Sequence, residues 1–262
     1  MSSDNTPIVD VRHFSMSFGS KPVVKDLSFT VNQGEIFGLL GSNGSGKTTT
    51  LRALLGIYQP TGGTLLINGK PFDVSRHLHI GYLPEERGLY KKEPVIDVMV
   101  YFGRLKGMTK AAAHQFAMDY LGQVGLVDQA HTIVDKLSGG QQQKVQLGIA
   151  IMSQPDLLIL DEPTKGFDPV NRRLLMDIIF GLHKRGATII MVSHQMDEVE
   201  KTCDRILLLK DGVAREYGTV AEIKANHHGA SIDDIFVEIY GRPDEVGIDK
   251  FIDDNYQEAN HD

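Results

Sequence analysis

Cysteine is nearly missing from this chain: Cys203 is the single one among 262 residues. No internal disulfide can form, and such thiol usage fits a reducing compartment. Long apolar runs are missing too. None approaches the ~18 residues that a membrane-spanning helix requires, and the start, Met1-Ser2-Ser3-Asp4-Asn5, is too polar for a signal peptide. The expectation is a cytoplasmic location, with any membrane role supplied through a partner. Positive charge is in deficit, with 27 Lys and Arg against 34 Asp and Glu and a formal charge of −7, which argues against a nucleic-acid-coating surface. Internal repeats and low-complexity tracts are absent. His77 with His79, and the pair His227-His228, have no Cys or acidic partner at zinc-like spacing and read as surface residues. Cys203 reads as a small packing residue beside a strand at Ile206.

What is present is an apolar fraction of 41 %, ample for one large domain or a domain with a sizeable insertion. Alternation over Val9 to Phe18 and Leu27 to Val31 predicts antiparallel strands joined through Gly19-Ser20-Lys21-Pro22. Ile36 to Leu40 predicts a short buried strand, and Thr48 to Leu55, free of Gly and Pro, a helix. Gly62-Gly63 opens a strand to Ile67, and Asn68-Gly69 predicts a hairpin returning through Lys70-Pro71-Phe72. His79 to Leu83 predicts another strand, closed by Pro84. From about Pro94 to Ser153 helical spacing takes over, with Thr109 and Ser138 as caps, and Pro155 stops the last of these helices. Leu157 to Leu160 and Thr188 to Val192 are continuous apolar runs of the kind buried in parallel sheets, with a helix from Arg172 to His183 between them. Ile206 to Leu209 turns at Lys210-Asp211-Gly212 into a closing hairpin strand, Val213 to Tyr217. A short helix near Val220 to Lys224 and an acidic tail from Asp244 end the reading.

Three stretches carry chemistry. Gly41-Ser42-Asn43-Gly44-Ser45-Gly46-Lys47-Thr48 fits G-x-x-x-x-G-K-[ST], and the strand before and helix after are the context that separates a phosphate loop from a chance Gly/Ser turn. Glycines let backbone N–H groups at a helix start approach phosphate oxygens. Lys47 reaches the terminal phosphates, Thr48 offers its hydroxyl to Mg2+, and Thr49 extends the nucleotide contacts. Leu157-Leu158-Ile159-Leu160-Asp161-Glu162 is an apolar strand ending in two carboxylates. Strand neighbours point to opposite faces, so the acids are expected to divide the work: Asp161 for the metal, Glu162 as general base toward water. Leu137-Ser138-Gly139-Gly140-Gln141 has capping-box spacing at a helix entrance whose first turn is bare, a second anion site.

Together, in the order phosphate loop, Leu-Ser-Gly-Gly-Gln, Leu-Leu-Ile-Leu-Asp-Glu-Pro-Thr, then Met191-Val192-Ser193-His194, these motifs resemble those of the ATP-binding cassette (ABC) ATPases, from about Ile8 to Gly241. The resemblance implies an α/β phosphate-loop NTPase core with a mainly parallel sheet, an N-terminal antiparallel β layer and an inserted α-helical subdomain. The implied division is 1–241 for the ATPase domain, with the insertion at about 87–155, and 242–262 for the tail. It further implies that ATP and Mg2+ are bound, that Phe18 stacks on adenine, that His194 contacts the γ-phosphate, and that Asp168 lies in the loop linking the sites of a dimer. Two copies pack head to tail, Ser138 to Gln141 of one closing over ATP on the other, and separate membrane permease subunits dock between Glu85 and Arg104. The expected location is the cytoplasmic face of the membrane.

Glu85 stands where the family usually has Gln, as a further metal contact, and Leu83 to Tyr90 looks like the variant in ATPases serving sodium-extrusion and drug-resistance exporters. Lys165 and Phe167 replace the commoner small residue and Leu. That exporter branch often alters the Leu-Ser-Gly-Gly-Gln segment, which this chain keeps. An importer ATPase, or a soluble cassette ATPase of translation or DNA maintenance, are the alternatives. The latter usually carry two cassettes or a long coiled coil, neither of which is present here.

Overall fold

A computed structural model describes residues 7–72, 79–86 and 88–241. His77, Arg87 and the acidic segment from Asp244 lie outside the described residues. Strand β1 (Pro7–Phe18) turns at Gly19-Ser20 and returns as β2 (Lys21–Asn32), antiparallel as alternation predicts. On the other side of β1 lies β4 (Gly62–Ile67), completing a three-stranded sheet. The hairpin expected at Asn68-Gly69 is reduced to one bridge, Ile67 to Lys70. Lys70-Pro71-Phe72 forms no returning strand, because Pro71 has no N–H for a ladder and Phe72 packs onto the apolar core.

The second sheet has six strands. Four are parallel to β3 (Ile36–Leu40): β5 (Ile80–Leu83), β6 (Leu157–Asp161), β7 (Thr188–Val192) and β8 (Arg205–Lys210), while β9 (Val213–Thr219) is an antiparallel edge. Their order is β5-β6-β7-β3-β8-β9. Every residue of β3, β6 and β7 is buried. The two-residue period divides these runs between two cores. Phe37, Leu39, Leu157, Ile159, Ile190 and Val192 meet the three-stranded sheet, with Leu51 and Leu54 of helix α1 (Lys47–Leu54); Ile36, Leu40, Leu158, Leu160, Ile189 and Met191 face the remaining helices. Cys203 is buried in that second core, its thiol pushed up to about 12 by burial.

Helices α2 (Val95–Leu105), α3 (Lys110–Gln123) and α4 (Gly139–Ile151) make the connection between the neighbouring strands β5 and β6. The Thr109 hydroxyl accepts the Ala112 N–H at 3.2 Å and opens α3. Ser138 opens α4 with a complete capping box: its N–H donates to Gln141 Oε1 at 2.8 Å and its hydroxyl accepts the Gln141 N–H at 3.3 Å. α4 ends at Ile151, ahead of Pro155, with Ser153 and Gln154 turning at φ of 68° and 53°. α5 (Pro169–His183) joins β6 to β7, and α6 (Met196–Thr202) and α7 (Val220–Asn226) follow. α6 and α8 (Ile232–Tyr240) were not anticipated. α8 starts at Ser231, whose hydroxyl accepts the Asp234 N–H at 3.1 Å, and it buries Ile232 and Ile235. The C-terminal ends of β3, β6 and β7 share one edge of the sheet, where open α/β sheets form their ligand crevices.

Candidate nucleotide site

The loop Gly41 to Gly46 leaves β3 at this edge. Gly46 stands at the entrance to α1 with φ of 111°, a value that side chains disfavour. A Cβ at Gly41 would lie 2.4 Å from Ser45 Oγ and 2.6 Å from the Leu209 carbonyl oxygen. No side chain caps α1, so its first N–H groups face outward for an anion. Ser45 N–H donates to the Ser42 carbonyl at 3.1 Å, tightening the loop. Buried Lys47 turns its ammonium back to the Gly41 and Ser42 carbonyls at 2.7 and 3.0 Å, and burial lowers its pKa.

A cavity of about 130 Å³ opens against this loop, lined by Val23, Asn43, Gly44, Gly46, Lys47, Thr48, Thr49, Glu85, Asp161, Glu162, Val192 and His194. Asp161 and Glu162 both line it, which corrects the expectation of opposite faces. Strand alternation ends at Asp161, because Glu162 adopts φ of 53° and swings its carboxylate to the same side. The cost of crowding acids in a dry site appears in their pKa values. Burial, then the charge of Glu85, pushes Asp161 up to about 6; burial, then the charge of Asp161, pushes Glu162 up to about 7. His194 Nε2 stands 3.1 Å from Glu162 Oε1, but this oxygen has no hydrogen bond among the described residues. Burial, then Lys47, lowers the His194 pKa, favouring a neutral imidazole.

These observations fit a divalent cation carried in on a nucleotide. Carboxylates whose pKa values are raised by burial and then by neighbouring carboxylates are relieved by positive charge, and the Thr48 side chain is within hydrogen-bonding influence of Asp161. No group of three or more His, Cys, Asp or Glu among the described residues forms a metal cage; Mg2+ bound through substrate phosphates needs only one or two carboxylates.

Other expected residues lie outside the cavity. Phe18 is 47 % exposed at the end of β1, its ring edge-on to Tyr58 at 5.3 Å. Ser138 is exposed, and Ser138 to Gln141 do not line the cavity of their own chain. Asp168 caps α5, its Oδ1 accepting the Val170 and Asn171 N–H groups at 2.9 and 3.0 Å. Of the histidine pairs, His227 contacts Glu216 and Glu238.

Several residues at the site escaped the sequence reading. Gln143 Nε2 donates to the Pro163 carbonyl at 2.8 Å and to that of Glu162 at 3.3 Å, while Gln146 Nε2 donates to the Glu86 carbonyl at 3.0 Å. α4 thereby ties together the loops after β5 and β6. The available signal was weak, since Gln143 and Gln146 stand at i, i+3 but share α4 with Gln141, Gln142 and Lys144. Glu85 and Lys165, two of the departures from the family pattern, are partners at 2.6 Å, and this bond holds the Glu85 pKa down.

A glycine loop between β3 and α1, with carboxylates ending the second strand over in the same parallel sheet, defines a phosphate-loop nucleoside triphosphatase. Residues 24–165 match the family model described as ABC transporter. The chain is 46 % identical to an uncharacterized ABC transporter ATP-binding protein of Methanocaldococcus jannaschii, over 83 % of this chain and 79 % of that one. It is 38 % identical to Nod factor export ATP-binding protein I of Burkholderia lata, over 89 % of this chain and 76 % of that one. A solved ATP-binding subunit of an ABC transporter superposes with a TM-score of 0.82 at 27 % identity, covering 89 % of this chain and all of the other. The chain belongs to the ABC transporter family, as one of its ATP-binding, ATP-hydrolysing subunits.

Proposed function

We propose that this chain hydrolyses ATP at the phosphate-loop cavity and energises export through separate membrane permease subunits, from the cytoplasmic face of the membrane. The carrying observation is the convergence of Lys47, Thr48, Glu85, Asp161, Glu162 and His194 on one cavity. In this reading the loop from Gly41 to Thr49 wraps the phosphates, and Lys47 exchanges its loop carbonyls for phosphate oxygens. Thr48, Asp161 and Glu85 would hold Mg2+, which when bound neutralises charge on the β- and γ-phosphates. Glu162 accepts the proton of the attacking water; a pKa near the working pH suits a general base. His194 faces the γ-phosphate, and Phe18 offers its exposed ring to adenine.

At the first turn of α4 Ser138 is exposed and Gly139 to Gln141 are half-buried, and none of them lines the cavity of its own chain. A second copy packed head to tail would bring Ser138, Gly139, Gly140 and Gln141 over the nucleotide, with Asp168 in the loop between the two sites. Residues 1–241 act as one ATPase unit with the helical insertion at about 87–155. No helix among the described residues is long and apolar enough to cross a membrane, and in this reading separate permease subunits supply the spans. Tyr90 and Tyr101 are exposed around a groove of about 420 Å³, completed by Glu93, Asp97 and Val98, a surface suited to a permease segment. The export direction is supported by the Burkholderia relative. Purification of the tagged chain from membranes tests the reading: a hydrophobic subunit should accompany it and support ATP-dependent efflux from vesicles. Recovery with ribosomes or DNA alone would overturn it, and stimulation by a substrate-binding protein would make the system an importer.

A further inference from the structure

We propose that Tyr240, at the end of α8, is a positioning residue for the phosphate loop. Its hydroxyl accepts the Ser42 N–H at 2.9 Å and donates to the Leu209 carbonyl, so one group ties the start of the loop, the end of β8 and the C-terminal helix. The ring is fixed independently. Phe236 stacks on it at 4.4 Å, and Lys210 sits 5.6 Å from its centroid while donating to the Ile239 carbonyl at 2.7 Å. Leu209's carbonyl is the same atom that leaves no room for a Cβ at Gly41, so Tyr240 sets the wall against which the loop turns.

Ser42 is gripped at both ends: by Tyr240 through its N–H, and by Lys47 through its carbonyl. When Lys47 turns to a phosphate that second grip is released, and the loop entrance is held by Tyr240 on the Ser42 N–H and by the Ser45 N–H on the Ser42 carbonyl. The hydroxyl therefore matters most in the nucleotide-bound state. This inference rests on the cavity being the ATP site.

Tyr240→Phe in the full chain removes the hydroxyl and keeps the ring. ATP affinity, measured by displacement of a fluorescent ATP analogue, should fall about three- to tenfold, the equivalent of one net hydrogen bond. KM should rise with kcat nearly unchanged, the signature of lost uniform binding. Amide exchange should quicken in residues 41–48 but not in β6. Unchanged affinity, or faster exchange throughout the sheet with a matching fall in Tm, would overturn the proposal. Lys47→Ala separates the two levels: if it still binds ATP normally, the site reading itself fails, whereas loss of binding there with an unaffected Tyr240→Phe sinks only the role of Tyr240.

Discussion

Glu162 shows how one backbone angle can decide chemistry. A non-glycine residue at φ of 53° is uncommon, and here it carries the second of two adjacent acids into the cavity that already holds the first. The sequence supplied both carboxylates but not this turn, since alternation is the only rule a strand pattern offers. Glu162→Gln keeps the volume and removes the proposed base; MgATP binding should persist while turnover falls about 10²–10⁴-fold, as measured by phosphate release and nucleotide binding on the same preparation. Near-normal hydrolysis would remove Glu162 as the base. Glu85 lines the same cavity, and it and Lys165 answer each other's departure from the family pattern. Their side chains are 44 % and 64 % exposed, so their coupling in a double-mutant cycle with Glu85→Gln and Lys165→Met, read by urea unfolding without nucleotide, should be close to zero. A much larger coupling would mean that the pair organises the buried acids as well.

At the level of elements, two helix starts were legible because a cap is a local event, whereas α5 starts at Pro169 behind the Asp168 cap, three residues ahead of the expected Arg172. Thr109 and Ser138 both cap as read, and Ser138→Ala should destabilise the protein by about 1 kcal/mol in denaturant unfolding. α8 was missed although Ser231 caps it, because a nine-residue helix gains most of its stability from what it packs against. Its anchoring is pH-sensitive. His227 at the end of α7 faces Glu216 of β9 at 3.1 Å and Glu238 of α8 at 3.4 Å, and the hydrogen bond with Glu216 is the main cause of its raised pKa. A raised histidine pKa contributes stability fully below about 6.5, the unfolded value, and loses it as pH rises through the folded value. The nucleotide-free protein should lose up to about 1 kcal/mol more than His227→Gln between pH 6 and 8, and parallel Tm profiles of the two proteins would contradict this.

For the whole molecule, Ser138 to Gln141 do not line the cavity of their own chain, and the proposed head-to-tail dimer would bring a second copy's turn to it. Glu162→Gln should accumulate an ATP-dependent dimer, and adding Ser138→Arg should prevent it while leaving ATP binding by the monomer intact, as judged by size-exclusion chromatography; a stable dimer of the doubly substituted protein would argue against the shared site. The phosphate loop, the apolar strands and the capping box could all be read from the sequence, because close backbone approach, burial on both faces and helix entry are each satisfied by residues near in the chain. What no local pattern contains is the distance between residues far apart in it. The pairing of Glu85 with Lys165, the reach of Gln143 and Gln146 from α4 to two loops, and the hold of Tyr240 on Ser42 arise only when β3, β6 and β8 lie side by side and the helices pack over them.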